Sequence, residues 1–179
     1  MRVAVAMVAA VLMLLASACT PDPGPQPTPT VVSPTPTENA QEREQRLAYE
    51  AAEKSYREFQ ADYRRALREG GASSATSVMK ATAGDGYLDV FTEVLRANKK
   101  LHVRQVGEGL IGYVRPAGYT PDSVLLDVCE DQRKVQEVRS DGKKPQSGEV
   151  RVARLEVRKV GGTWKVWTGT GKRVDSCDA

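Results

Sequence analysis

The chain has 179 residues, with 26 Lys and Arg against 23 Asp and Glu and a formal net charge of +3. That length suits one domain plus an extension, and so small an excess of positive charge excludes a field able to hold nucleic acid. The single histidine and three scattered cysteines lack the spacing of a zinc set, so neither a metal nor a cofactor is expected.

The first nineteen residues read MRVAVAMVAAVLMLLASAC: one positive charge at Arg2, then an unbroken apolar run from Val3 to Leu15. The run is short for a bilayer span and has the length of a signal-peptide core. Ala16-Ser17-Ala18-Cys19 resembles the bacterial lipobox, with Ala16 where Leu is usual and Leu15 one place earlier. The resemblance implies cleavage after residue 18, a diacylglyceryl group on the Cys19 sulfur, and display on the extracytoplasmic face of the cell membrane. In that oxidising exterior the two remaining cysteines, Cys129 and Cys177, are expected to pair. Residues 20–37 hold seven of the ten prolines. Such a stretch cannot build a core and reads as an extended stalk reaching roughly 55 Å at most. Segments 1–18, 19–38 and 39–179 are thus leader, anchored stalk and folded domain.

Asn39 and Glu42 have the spacing of a capping pair, and Leu47, Ala51 or Ala52, Tyr56, Phe59, Tyr63 and Leu67 recur at helical intervals until Gly70-Gly71. One helix of up to about thirty residues is predicted. Its opposite side, with Arg43, Glu44, Arg46, Glu53, Lys54, Arg57, Asp62 and Arg65, reads as a solvated face of mixed charge. A short helix is predicted within 73–83, and after a break at Gly84-Asp85-Gly86 comes a third one carrying Tyr87, Leu88, Phe91, Val94 and Leu95 and ending near Asn98.

After Lys100 the pattern turns to strands, predicted at 101–106, 110–115, 123–133, 149–160 and 163–168. In the fourth, Val150 and Val152 and then Leu155 and Val157 alternate with charged residues, with a bulge expected at Ala153. Gly161-Gly162 joins it to the fifth as a hairpin. Helices first and an antiparallel sheet afterwards predict an α+β domain, the helices packed on one sheet face.

Two glycine patterns resemble nucleotide-binding motifs. Gly107-Glu108-Gly109-Leu110-Ile111-Gly112 spells G-x-G-x-x-G, but Pro116 and Gly118 follow where a helix would have to open, so the glycines are expected to bend or bulge a strand. Gly169-Thr170-Gly171-Lys172 has Arg173 where a phosphate loop needs a hydroxyl, and reads as a turn. Candidate pocket or contact residues are His102, Asp127, Trp164 and Trp167. His102 shows no orienting partner; Asp127 shares a strand face with Leu125 and Cys129; period two sends Trp164 and Trp167 to opposite faces, one to the core and one to a contact surface.

The run YLDVFTEVLRANKKLHVRQVGEG, the strand SVLLDVCEDQRKV, the turn at Asp141-Gly142, and Thr163-Trp164-Lys165-Val166 followed by a terminal Cys177 together resemble exported, lipid-anchored members of the nuclear transport factor 2-like superfamily of actinobacterial type. The resemblance implies N-terminal helices packed on a curved antiparallel sheet as a cone, and a Cys129–Cys177 bond. That superfamily includes isomerases and dehydratases with Asp, Tyr and His lining the cone, and this chain reproduces no intact set, so no catalytic residue is assigned. The expected function is a non-enzymatic envelope lipoprotein, anchored in the membrane by its lipid, whose domain binds an envelope protein or a small apolar ligand. The alternatives are an isomerase- or dehydratase-like enzyme with Asp127 or His102 as base, and a blocker of envelope machinery such as phage entry.

Overall fold

The computed structural model describes residues 38–178. The leader, Cys19 and most of the stalk fall outside the described residues. Helix α1, Ala40–Arg68, opens on a capping box in which Asn39 Oδ1 accepts from the Glu42 N–H at 2.9 Å and the Glu42 carboxylate accepts from the Asn39 N–H at 2.9 Å. It stops where Gly70 and Gly71 take φ of +90° and +85°. At Gly71 a side chain is also excluded sterically, since an added Cβ would lie 2.2 Å from the carbonyl oxygen of Leu95. The end of α1 is thereby brought against helix α3, Asp85–Leu101. Between them the short α2, Ser77–Thr82, is capped by Thr76, whose hydroxyl accepts from the Met79 N–H and donates to Asp62.

Ala48, Ala52, Tyr56, Phe59 and Leu67 form the buried stripe of α1, as helical spacing predicts. Two positions depart from it. Leu47 is 51% exposed because Ala48 takes the inward place. Asp62 leaves the solvated face: only 8% exposed, it is held by Thr76 and Arg65 under α2. Helix α3 runs past Asn98, and its C-cap is His102 in the left-handed region at φ 51°, with its N–H reaching the Asn98 and Lys99 carbonyls. The predicted strand from 101 therefore begins two residues late.

The strands are β1 Val103–Val106, β2 Leu110–Thr120, β3 Ser123–Asp131, β4 Gln136–Arg139, β5 Gln146–Ser147, β6 Val150–Val160 and β7 Thr163–Val174. They form two antiparallel sheets, ordered β2-β3-β6-β7 and β1-β4-β5. Pro116 lies in β2, an edge strand that tolerates a missing N–H. Gly161 and Gly162, both at positive φ, make the β6–β7 hairpin as expected. The bulge does not fall at Ala153, where β6 stays in register with β3; it falls opposite Glu156 and Val157, where β7 inserts Trp167. Val152 consequently pairs with Cys129 on the outer face, while Ala153, Leu155 and Val157 face the helices.

Val124, Leu126, Val128, Leu155, Val157 and Val166, none more than 3% exposed, meet Ala48, Ala52 and Tyr56 of α1. Phe59, Leu67, Met79, Ala83 and Leu95 make a second cluster among the helices. Burying each of the larger side chains contributes about 1.5–3 kcal/mol. On the outer face the chain end returns over the sheet, and Cys129 and Cys177 are joined with their sulfurs 2.04 Å apart.

A half-open aromatic cleft between helices and sheet

Beyond the core, where α1 and α3 diverge from the sheet, the domain holds a cleft of about 1140 Å³. That is slightly above the size of typical ligand sites, about 300–1,000 Å³. Its helical wall comes from Tyr63 and Leu67 of α1 and Tyr87, Val90, Phe91 and Val94 of α3. Tyr63 and Phe91 meet edge-to-face with centroids 4.7 Å apart, and Tyr87 lies 4.6 Å from Phe91. The sheet wall is Val128, Ala153 and Leu155, whose residue parity on β3 and β6 turns them inward. Val90, at 60% exposure, stands at the mouth.

Among the polar groups lining the cleft, Glu130 gathers three side-chain donors. Its Oε1 accepts from the Tyr56 hydroxyl at 2.6 Å, and its Oε2 accepts from Arg64 Nη2 at 2.9 Å and Gln132 Nε2 at 2.9 Å. Arg64 also donates to the Gly109 carbonyl at 2.7 Å, while its Nε is buried without a partner. The side chains of the Arg64–Glu130 pair are only 13% and 18% exposed. Burial, and then the Glu130 charge, pushes the Tyr56 hydroxyl far above the ordinary tyrosine range. Tyr63 and Tyr87 are pushed up by the same two causes in the same order.

The sequence candidates divide. Asp127 lies outside the cleft, on the outer face, in a two-pronged pair with Arg154 at 2.7 Å and 2.7 Å whose hydrogen bonds hold its carboxyl below the usual range. His102 is exposed at the end of α3 and does not line the cleft either. The Trp167 insertion removes the period-two separation of the tryptophans. Trp164 packs against the core cluster and its carbonyl accepts from Ser55; Trp167 lies against Gly84 at the start of α3, lines the cleft, and carries the Arg158 guanidinium 5.1 Å from its ring centroid. Glu130, Arg64 and Tyr56 were not singled out from sequence. Tyr56 read only as a core position, and Glu130 differs in pattern from the surface acids around it only by alternating with Val128.

Both glycine patterns find structural uses. Gly107 turns at φ 88° against the Lys134 carbonyl, Gly109 packs on Gln132, and a Cβ on Gly112 would lie 2.8 Å from Cys177 Sγ. Gly169-Thr170-Gly171-Lys172 is no turn: it lies inside β7, with Gly169 opposite Leu155 and Gly171 opposite Ala153, lining the cleft.

No family model matches the chain, and no curated protein matches it. Solved structures do show likeness. The chain is similar to the intermembrane space region of the chloroplast protein ARC6, with a TM-score of 0.48, 11% identity, and 69% of this chain and 97% of that one covered. It is similar to a candidate dehydratase of the NTF2-like family from Streptomyces avermitilis, with a TM-score of 0.44, 14% identity, and coverage of 73% and 99%. A third is an NTF2-like protein with a cystatin-like fold from Novosphingobium aromaticivorans, at 0.42, 12%, and 80% and 95%. These likenesses concern the fold, and function is argued below from the cleft.

Proposed function

We propose that the protein is an extracytoplasmic lipoprotein, anchored through Cys19, whose domain binds a small ligand in the cleft without transforming it. The observation that carries the non-catalytic reading is the commitment of Glu130. A general base needs a lone pair aimed at a substrate proton, and three of the roughly four acceptor sites of this carboxylate are already taken by Tyr56, Arg64 and Gln132. The aromatic wall, by contrast, offers apolar area that no side chain of the described residues covers. A titration with the neutral fluorophore 1-aminoanthracene tests the cleft. Saturable binding that Ala153→Trp removes supports the reading, and the absence of saturable binding overturns it. For the anchor, Cys19→Ser is expected to release the protein from membranes; retention in the membrane fraction counts against it.

An enzyme in the same cleft is the second reading, favoured by the short Tyr56–Glu130 contact. Asp127 and His102, the bases first considered, lie outside the cleft, so this reading needs a substrate that displaces Arg64 or Gln132 from Glu130. A Glu130→Gln variant that binds 1-aminoanthracene as tightly as the parent is expected if the group is structural.

A further inference from the structure

Along β6, the inward residues Arg151, Ala153 and Leu155 pass from exposed to half-buried to 3% exposed. Four residue steps at the strand rise make this line about 13 Å long. Beside it on β7, Gly171 and Gly169 oppose Ala153 and Leu155 and present no side chains. A Cβ on Gly169 would lie 2.5 Å from Leu155 Cδ2, and one on Gly171 3.0 Å from the Val152 carbonyl oxygen. The glycines therefore keep open a bare trough that a larger residue would close, with Tyr87 and Phe91 of α3 on its far side.

The charges facing the cleft pair off with few exceptions. Arg64 holds Glu130 at 2.9 Å, Arg158 holds Glu156 at 2.7 Å, and Arg173 holds Glu149 at 3.3 Å. Among the described residues lining the cleft, Arg151 and Glu137 have no hydrogen-bond or ion-pair partner. Glu137 belongs to β4 in the other sheet, while Arg151 stands at the outer end of the trough, in line with its apolar residues. A guanidinium at the mouth of an apolar track has the polarity of a head-group site: its fork of donors suits a carboxylate or phosphate, and the track suits an alkyl chain.

Resting on the ligand-binding reading above, we propose that the cleft takes a single-chain anionic amphiphile, with its carboxylate or phosphate on Arg151 and its chain along Ala153, Leu155 and the β7 glycines. The test uses the full chain carrying Cys19→Ser, with bound 1-aminoanthracene displaced by dodecanoate, dodecyl phosphate, dodecanol or dodecyltrimethylammonium. One or both anions are expected to displace the probe at about tenfold lower concentration than dodecanol, the size of one charge-assisted contact. Arg151→Gln, at an exposed position that leaves packing intact, should bring the anions within about twofold of dodecanol without weakening dodecanol itself, and Arg151→Lys should keep part of the preference. Preference for dodecyl phosphate or for dodecanoate tells which head group the site selects. If the probe binds and the alcohol competes as well as the anions, or the cationic amphiphile competes best, the anion assignment falls while the cleft reading stands. If the probe does not bind, both fall together.

Discussion

The two faces of the four-stranded sheet are made by alternate residues of the same strands, yet they solve opposite problems. On β3, Val124, Leu126 and Val128 face the helices and are at most 2% exposed, while Leu125, Asp127 and Cys129 face outward. The outward charges satisfy one another locally, as Asp127 does with Arg154. The inward ones, Glu130 and Arg64, are tied to a helix tyrosine and a loop carbonyl. The same residue types thus have small energetic weight on one face and large weight on the other, because solvent screens the first pair and not the second. The disulfide is the exception that makes the outer face matter, since it binds the chain end to the last residues of β3, at Cys129.

Several measurements would sharpen or break that contrast. The largest effect expected is from Cys129→Ser with Cys177→Ser: opening a loop of 48 residues' separation should cost roughly 4 kcal/mol by the chain-entropy argument, read as a lower urea midpoint. A loss below about 1 kcal/mol would show that the outer staple is idle. Next, Leu126→Ala, at 1% exposure on the inner face, should cost about 2–5 kcal/mol.

Alkaline pH should then act through the inner face alone. Tyr56, Tyr63 and Tyr87 have hydroxyls raised in the folded state, so the fold keeps protons that the unfolded chain releases. Stability should be intact below about pH 10 and fall above it, by up to about 1.4 kcal/mol per tyrosine for each further pH unit. A thermal midpoint unchanged between pH 9 and 11 would contradict that burial. The smallest effect is on the outer face, where Asp127→Asn should cost less than about 1 kcal/mol, since the pair is 38% and 59% exposed. A loss as large as that of Leu126→Ala would erase the distinction between the faces.

How far sequence reaches depended on whether a signal was local. The capping box at Asn39 and Glu42, the glycine pair that ends the long helix and the glycine pair that turns the hairpin mark their elements because the deciding contacts lie within a few residues. Strands β4 and β5 were missed: Gln136–Arg139 and Gln146–Ser147 have little apolar alternation, being short members of a sheet with polar residues at most positions. The Gly169-Thr170-Gly171 stretch reads as a turn by composition, and becomes a strand because β6 pairs with it over its whole length. Trp167 changes face through an inserted residue that no periodicity announces.

By itself the sequence determined that the helices precede the strands, where the long helix begins and ends, and where the hairpin turns. Those follow from dihedral preference, local capping and apolar periodicity, which act between near neighbours. Only the tertiary structure decided that Glu130 joins Tyr56 and Arg64, that Asp127 and His102 stay outside the cleft, and that Arg151, at the end of a glycine-floored trough, has no ion-pair partner among the described residues. Each depends on register and on the distance between strands and helices far apart in the chain, so the same carboxylate or guanidinium can be surface charge, core pair or binding group until packing selects one.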